Sequence, residues 1–303
     1  MEYVFDDVTV ALTNTDRVMY PDAGITKGDV LAYYKDIAGV MLPELRDRAL
    51  SLERFTKGID AGGFFQKHAQ KHYPPWIRQV TLGTKTRVTY PVCDTPAGLV
   101  YFANQGGLAM HIWTSRVAAP EHPDMLVFDL DPPDGRFDLV RDAALELREL
   151  FETLELPAFV KTTGGKGLHV VAPLDATAPF DAVAALGNRI AGVLCRRHPD
   201  KFTQEFYKKD RQGRLYLDLM RNALGATIIA PYSLRGRPGA PISAPIEWEE
   251  VEGDALRPDG VTLRTIRARL DLLDDPWSNL RHTLGSVAVA EAALARVVDD
   301  VRE

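Results

Sequence analysis

The segment Met125-Leu-Val-Phe-Asp-Leu-Asp-Pro-Pro133 constrains the chain more than any other. Its short apolar run is closed by proline, which cannot donate to a strand ladder, so it reads as a buried strand stopping near Leu130. Strand side chains alternate with a period of two, so Asp129 and Asp131 leave the strand end on one face. Two carboxylates that close repel unless positive charge lies between them. A hard divalent cation is the usual solution. Two aspartates capping the following loop are the plainer alternative. Asp-x-Asp alone is also shared with haloacid-dehalogenase-type phosphohydrolases and many glycosyltransferases.

The surrounding pattern predicts an α+β layer. Asp138 reads as the cap of a helix to about Leu154, with Val140, Ala144, Leu147 and Phe151 inward. Residues 158–162 and 168–172 read as strands around a glycine turn. A helix over 180–197 follows, then strands at 215–220 and 226–231. The order strand, helix, strand, strand, helix, strand places helices on a mostly antiparallel sheet. Upstream, Thr26 reads as the N-cap of a helix through roughly Leu42, with Val30, Tyr33, Tyr34, Ile37 and Val40–Met41 on one stripe. Residues 48–56 and 85–104 read as strands and turns, 238–260 as a proline-rich surface loop, and the last 20 or so as a helix.

A third carboxylate, Asp218, lies in Leu215-Tyr-Leu-Asp-Leu-Met220, flanked by apolar residues. Burying it unpaired is costly, so a metal, or Arg214 or Arg221, must compensate. Three carboxylates from two neighbouring strands suit a two-metal clamp on attacking and leaving phosphate oxygens. In Lys161-Thr-Thr-Gly-Gly-Lys-Gly-Leu-His169, two glycines beside a lysine let amides and an ammonium approach a phosphate. The spacing is not that of a Walker loop, and taken alone a simple strand-joining turn is the plainer account. Lys166 and His169 gain interest by lying beside the carboxylates in the same sheet. His111, in His-Ile-Trp-Thr-Ser-Arg116, has the alternative of a structural role. Phe64-Phe65-Gln-Lys67 follows Gly62-Gly63; adjacent aromatics on such a segment can stack on a base, or bury in the core.

The net charge of −6 opposes bulk attraction to DNA, yet its distribution is uneven. Residues 51–90 hold seven Lys/Arg (Arg54, Lys57, Lys67, Lys71, Arg78, Lys85, Arg87) against two acids. Residues 196–237 hold ten against four. Such zones are either a cationic groove or ordinary solvated faces. No apolar run is long enough to span a bilayer, so no membrane partner is expected, and the acidic start lacks a signal-peptide pattern. Cys93 and Cys195 are the only cysteines, so neither a disulfide framework nor a cysteine zinc site is implied. A reduced, cytoplasmic, nucleoid-associated setting is the expectation.

Taken in order, the motifs resemble those of the polymerase domain of bacterial ligase D, in the archaeo-eukaryotic primase-polymerase superfamily. The matching segments are Val18-Met-Tyr-Pro21 with Thr26-Lys27, Phe64-Phe-Gln-Lys-His68, His111-Ile-Trp-Thr-Ser-Arg116, Leu126-Val-Phe-Asp-Leu-Asp-Pro132, Lys161 to His169, Tyr216-Leu-Asp-Leu-Met-Arg-Asn222 and Ala230-Pro-Tyr-Ser-Leu-Arg-Gly-Arg-Pro-Gly239. The resemblance implies a single catalytic domain over 1–303, made of an N-terminal α/β module, 1–124, and a module with an RNA-recognition-motif-like sheet, 125–303. It implies DNA-directed, Mn²⁺- or Mg²⁺-dependent addition of nucleotides, with ribonucleotides preferred, at gaps, breaks or 5′-phosphorylated ends. Metal positions fall on Asp129, Asp131 and Asp218. Those for the nucleoside triphosphate fall on His111, Thr163, Lys166, Arg221 and Arg235, with His169 orienting a carboxylate or phosphate. Those for a downstream 5′-phosphate fall on Arg17 and Lys27, with Asn14 nearby, at a helix start whose amides favour an anion. Phe64 and Phe65 match residues that stack on template or ends, and Arg54 and Lys67 join them as DNA contacts. Thr163 stands where relatives often carry Ser, and Arg17 where Lys is common, so hydroxyl and charge are kept. Thr56-Lys57-Gly58 replaces a more usual proline-acidic-glycine turn. The length suggests a stand-alone polymerase working with Ku and a separate ligase. A primer-synthesising factor, an inactive end-binding module and a phosphohydrolase with Asp129 as nucleophile are the alternatives. Pro132-Pro133 opposes the last, because that class needs a small residue and Thr after the second Asp.

Overall fold

The computed structural model describes residues 1–83 and 86–300. Lys85 of the first basic zone and the last three residues of the expected terminal helix lie outside the described residues. The chain opens with two hairpins, β1 (Glu2–Phe5) with β2 (Val8–Ala11) and β3 (Val18–Tyr20) with β4 (Ile25–Thr26). Thr26 then caps α1 (Lys27–Asp36) with a reciprocal box: its Oγ1 accepts from the Asp29 amide, and the Asp29 carboxylate accepts from the Thr26 amide. The helix expected through Leu42 is interrupted. Ile37 has ψ −5° where a helix needs about −42°, and α2 (Ala38–Leu45) begins after it.

Strands β5 (Leu50–Arg54), β6 (Phe64–Gln66), β7 (Gln79–Leu82) and β8 (Val88–Pro91) lead to α3 (Pro96–Asn104). This helix corrects the expectation of strands and turns across 85–104. Thr95 caps it, and Pro96 sits at its first position, where a missing amide hydrogen is harmless. Next come β9 (Gly107–Trp113), β10 (Met125–Leu130), α4 (Phe137–Thr153), β11 (Phe159–Thr162), β12 (Leu168–Pro173), α5 (Phe180–Arg197), β13 (Phe202–Thr203) and β14 (Leu215–Asp218). Asp138 lies inside the first turn of α4 rather than capping it, and pairs with Arg136. The chain ends with β15 (Thr227–Ile229), β16 (Pro245–Ile246), α6 (Trp248–Glu252), α7 (Ile266–Leu272) and α8 (Val287–Asp300). Two of these, β16 and α6, occupy part of the stretch expected as loop at 238–260.

Two compact units share this chain. Unit 1 comprises Met1–Trp113, Thr227–Ala244 and Asp259–Asp275; unit 2 comprises Thr114–Ala226, Pro245–Pro258 and Pro276–Glu303. The units therefore interleave, where the modules expected from the sequence met once, between 124 and 125.

Unit 1 contains an antiparallel sheet in the order β15-β9-β5-β6 among the described residues. Its core includes Tyr34, whose hydroxyl accepts from the Leu234 amide, so the 227–244 segment is tied to α1 by a buried bond. Unit 2 contains a sheet in the order β13-β14-β10-β12-β11-β16, antiparallel except for the β13–β14 pair. Alternation divides its faces. Leu126, Phe128, Leu130, Leu168, Val170 and Leu217 join α4, α5 and α8 in one apolar core. The opposite face carries the polar residues of the same strands.

Candidate active site

That polar face holds a row set by strand register. Asp218 on β14 pairs with Asp129 on β10, Asp129 with His169 on β12, and His169 with Lys161 on β11. Cross-strand partners share a face, so two carboxylates, an imidazole and an ammonium stand side by side. Asp131 follows Asp129 by two residues, past the strand end. Asp129, Asp131 and Asp218 line a cavity of about 440 Å³ with Lys166, Lys208, Arg211, Arg214 and Tyr216.

Asp129 is buried and doubly held. His169 Nε2 stands 3.2 Å from its Oδ1, and Arg221 Nε donates to its Oδ2 at 2.9 Å. Burial alone would raise the Asp129 carboxyl, but His169 and Arg221 together hold it well below the usual carboxylate range. Asp218 moves the other way. Burial and the charge of Asp129 raise it, although its Oδ1 accepts a 2.8 Å bond from the Met220 amide. The arginine that the sequence offered as a partner for Asp218 thus pairs instead with Asp129. Burial, then the charge of Lys161, lower His169 to about 4 against the pull of Asp129. The imidazole is therefore neutral at pH 7, and its buried Nδ1 has no hydrogen-bond partner among the described residues.

Asn222 fixes Arg221 in this place. The Asn222 side chain accepts from the Val127 amide at 2.8 Å and donates to the Val127 carbonyl at 2.7 Å, extending the pairing of β10 beyond the end of β14. The turn Met220–Asn222 is thereby pinned beside Asp129. Neither Asn222 nor Lys161 was singled out from sequence. Lys161 and His169 each lie four residues from Gly165, a spacing that becomes informative only once the hairpin register pairs them.

Other expected residues fall as follows. Lys166 is exposed at the cavity wall. The hydroxyl of Thr163 closes its own turn, donating to the Gly167 carbonyl and accepting from the Gly167 amide. Gly167 passes so close to β10 that a Cβ there would lie 1.9 Å from the Leu130 carbonyl oxygen and 2.9 Å from Asp131 Oδ1. In unit 1, His111 on β9 meets Phe65 edge to face at 5.2 Å, and Arg54 lies over the Phe64 ring at 5.6 Å. Phe64 and Phe65 are 51% and 58% exposed, so neither is a core residue, and Lys67 is exposed beside them. Arg235 lies in the 227–244 segment of the same unit, where its carbonyl accepts from Tyr20.

Lys27 is buried at the start of α1, its Nζ donating to the carbonyl and hydroxyl of Thr13 at 2.6 and 3.1 Å. Burial and then the neighbouring Arg17 lower its ammonium to about 8. Arg17 is exposed and donates to the Thr56 carbonyl; Asn14 is exposed with φ 51°. The first amides of α1 are not open, which corrects the expectation of a helix terminus presenting them. Lys27 N–H donates to the Arg17 carbonyl, Gly28 N–H to the Thr15 carbonyl and Asp29 N–H to the Thr26 hydroxyl.

Among the described residues no three His, Cys, Asp or Glu side chains already converge as a metal-binding group. The donor set nevertheless suits a hard cation, since it consists of carboxylate oxygens. The guanidinium of Arg221 supplies positive charge at Asp129. Among the same residues no helix is long and apolar enough to cross a membrane.

The model of the family described as LigD, primase-polymerase domain, matches residues 26–277. The chain is 36% identical over 258 residues to the multifunctional non-homologous end joining DNA repair protein LigD of Mycobacterium tuberculosis, covering 82% of this chain and 34% of that one. It is 33% identical over 288 residues to the multifunctional non-homologous end joining protein LigD of Pseudomonas aeruginosa, covering 93% and 34%. The chain thus spans about a third of the length of these curated relatives. A solved structure, the polymerase domain from M. tuberculosis ligase D in complex with DNA, superposes with a TM-score of 0.86 at 34% identity, covering 91% of this chain and 99% of that one. Fold and comparisons define the class, a nucleotidyltransferase of the polymerase type. Within it, the chain belongs to the LigD primase-polymerase domain family.

Proposed function

We propose that this chain adds nucleotides to DNA at gaps or ends during break repair, using divalent metal held by Asp129, Asp131 and Asp218. The observation that carries the reading is the in-register pairing of Asp129 with Asp218 at the wall of a cavity rimmed by four cations, Lys166, Lys208, Arg211 and Arg214. Carboxylates gather the metal, and cations neutralise a polyphosphate. Bound there, Mn²⁺ or Mg²⁺ would supply charge stabilisation at the attacking and leaving oxygens. Arg221 would pass from Asp129 toward phosphate oxygens, for which a guanidinium is geometrically suited. His169, neutral and packed against Asp129, orients that carboxylate rather than moving a proton. Lys166 binds the triphosphate, with His111, Thr163 and Arg235 as further contacts carried over from the family.

Phe64 and Phe65, exposed beside Arg54 and Lys67, suit stacking on template or end bases. Asn14, Arg17 and Lys27 form the pocket for a downstream 5′-phosphate, with charge rather than open helix amides as its basis. Ribonucleotides are preferred, and Ku and a separate ligase are the partners in repair.

The test is extension of a gapped, 5′-phosphorylated duplex with ribo- and deoxyribonucleotides, each in Mn²⁺ and in Mg²⁺. Metal-dependent addition is expected, faster with ribonucleotides. Absence of addition with either metal and either sugar refutes the reading.

A further inference from the structure

We propose that unit 2 carries an aromatic platform of its own, Phe206 and Tyr207, which stacks on an unpaired DNA base at the mouth of the carboxylate cavity. The inference rests on reading that cavity as the nucleotide site. Phe206 and Tyr207 are 54% and 65% exposed, so two large adjacent rings remain in water without serving the core. Their centroids lie 5.4 Å apart at 82°, edge to face, so each ring braces the other while more than half of each residue stays in water. Exposed rings of this size, placed together, mark a binding surface.

The position of the pair tells what kind of surface. Phe206 meets Tyr216 edge to face at 6.3 Å, and Tyr216 lines the cavity two residues before Asp218. Arg211 lies over the Tyr216 ring, its Cζ 4.3 Å from the centroid. The same guanidinium donates to the carbonyls of Glu205 and Phe206 at 3.1 and 2.6 Å, clamping the segment that presents the rings. Arg214 donates to the carbonyls of Arg211 and Asp210 and closes the return to β14. Lys208, Arg211 and Arg214 face the cavity from this one segment, with exposed Lys209 among them. Rings interleaved with cations on one short segment are the chemistry of single-strand recognition: cations follow the phosphates and rings take the bases. A protein partner would use the rings as well, but it would not require a row of cations leading into a carboxylate-lined cavity.

The test is equilibrium binding of labelled DNA to the full chain, with no metal and no nucleotide present. The proteins are wild type, the Phe206→Ala, Tyr207→Ala double variant, and the Phe206→Leu, Tyr207→Leu pair, which keeps apolar bulk without flat rings. The probes are a duplex with a 3′ single-stranded overhang, the same duplex with abasic overhang positions, and a blunt duplex. Both double variants are expected to bind the overhang at least about fivefold more weakly than wild type and the blunt duplex equally well. Abasic positions should lower wild-type affinity to that of the variants. A scan with 2-aminopurine should find one overhang position quenched by wild type and not by the alanine variant. Equal affinity of wild type and variants for the overhang overturns the platform, as does an equal loss on blunt duplex or indifference of wild type to abasic positions. Binding that behaves as expected in a protein unable to add nucleotides would instead overturn the polymerase reading and leave the platform standing.

Discussion

Replacing Gly167 by alanine probes how tightly the catalytic strand end is positioned. A Cβ at this site lies 1.9 Å from the Leu130 carbonyl oxygen, whereas the closest favourable carbon–oxygen contacts are about 3.3 Å. The backbones must therefore part by roughly 1.4 Å (3.3 less 1.9), because the offending atom is a carbonyl and not a swinging side chain. Leu130 sits between Asp129 and Asp131, and the same Cβ also lies 2.9 Å from Asp131 Oδ1. The strain thus falls on two of the three carboxylates at once. Overpacking of this kind costs on the order of 1–3 kcal/mol. A misplacement near 1 Å at a reacting centre costs about 100-fold in rate. Gly167→Ala should accordingly lower the urea midpoint and reduce nucleotide addition at least about 100-fold. Gly39→Ala in α2, where a Cβ meets nothing within 4 Å, serves as the control and should leave activity unchanged. Extension rates within a few-fold of wild type for Gly167→Ala, in protein of normal stability, would refute the argument that β10 and the glycine turn hold the carboxylates in one rigid arrangement.

Three further outcomes are expected. Asp218→Ala should abolish addition while leaving the folded state at least as stable, since it removes a carboxylate that burial and Asp129 disfavour; near-normal turnover would exclude a metal role. His169 is lowered to about 4, so the unfolded chain takes up its proton first as pH falls below about 6.5; metal-free stability should drop by roughly 2 kcal/mol between pH 6.5 and 5, and urea titrations of His169→Gln should lack that component. Lys27, lowered to about 8, is charged below that pH and loses its charge above it; the gain in DNA affinity from a 5′-phosphate should fade as pH rises through and beyond 8 and be absent in an Arg17→Ala, Lys27→Ala double variant, whereas an equal gain at pH 7 and 9.5 would count against the pocket.

Much of unit 2 was legible because its signals are local. A run of six apolar-dominated residues, a proline stop and a glycine turn each act within a few positions, and the helices over 137–153 and 180–197 follow their stripes closely. The misreadings came where a local cue was weak or compensated elsewhere. Thr95-Pro96 is a helix start, but Gly98 and the aromatics Tyr101 and Phe102 lower helix propensity, and α3 is held by packing on α1 and the first hairpin. The break at Ile37 leaves no mark in an apolar stripe that continues on both sides. The interleaving of units could not be read, because the return of 227–244 depends on bonds such as Tyr34 to Leu234 across 200 residues.

At the site, the three carboxylates and the glycine turn are visible in one dimension because each is a residue type that its immediate surroundings do not explain. What holds them is not. Lys161 looks like one more strand residue until hairpin register sets it beside His169, and Asn222 looks like a turn residue until its amide is seen completing the ladder of β10. The same holds for the surfaces. Phe64-Phe65 stands out in the sequence because two glycines precede it, while Phe206-Tyr207 lies in a basic zone that reads as either a cationic groove or ordinary solvated faces, with nothing to mark the rings themselves. Only burial separates them from core aromatics, and burial belongs to the folded molecule: Phe202, four residues before Phe206, is fully buried on β13. A carboxylate advertises its chemistry in sequence because its charge must be answered somewhere, whereas an exposed ring becomes informative only after the rest of the chain has declined to cover it.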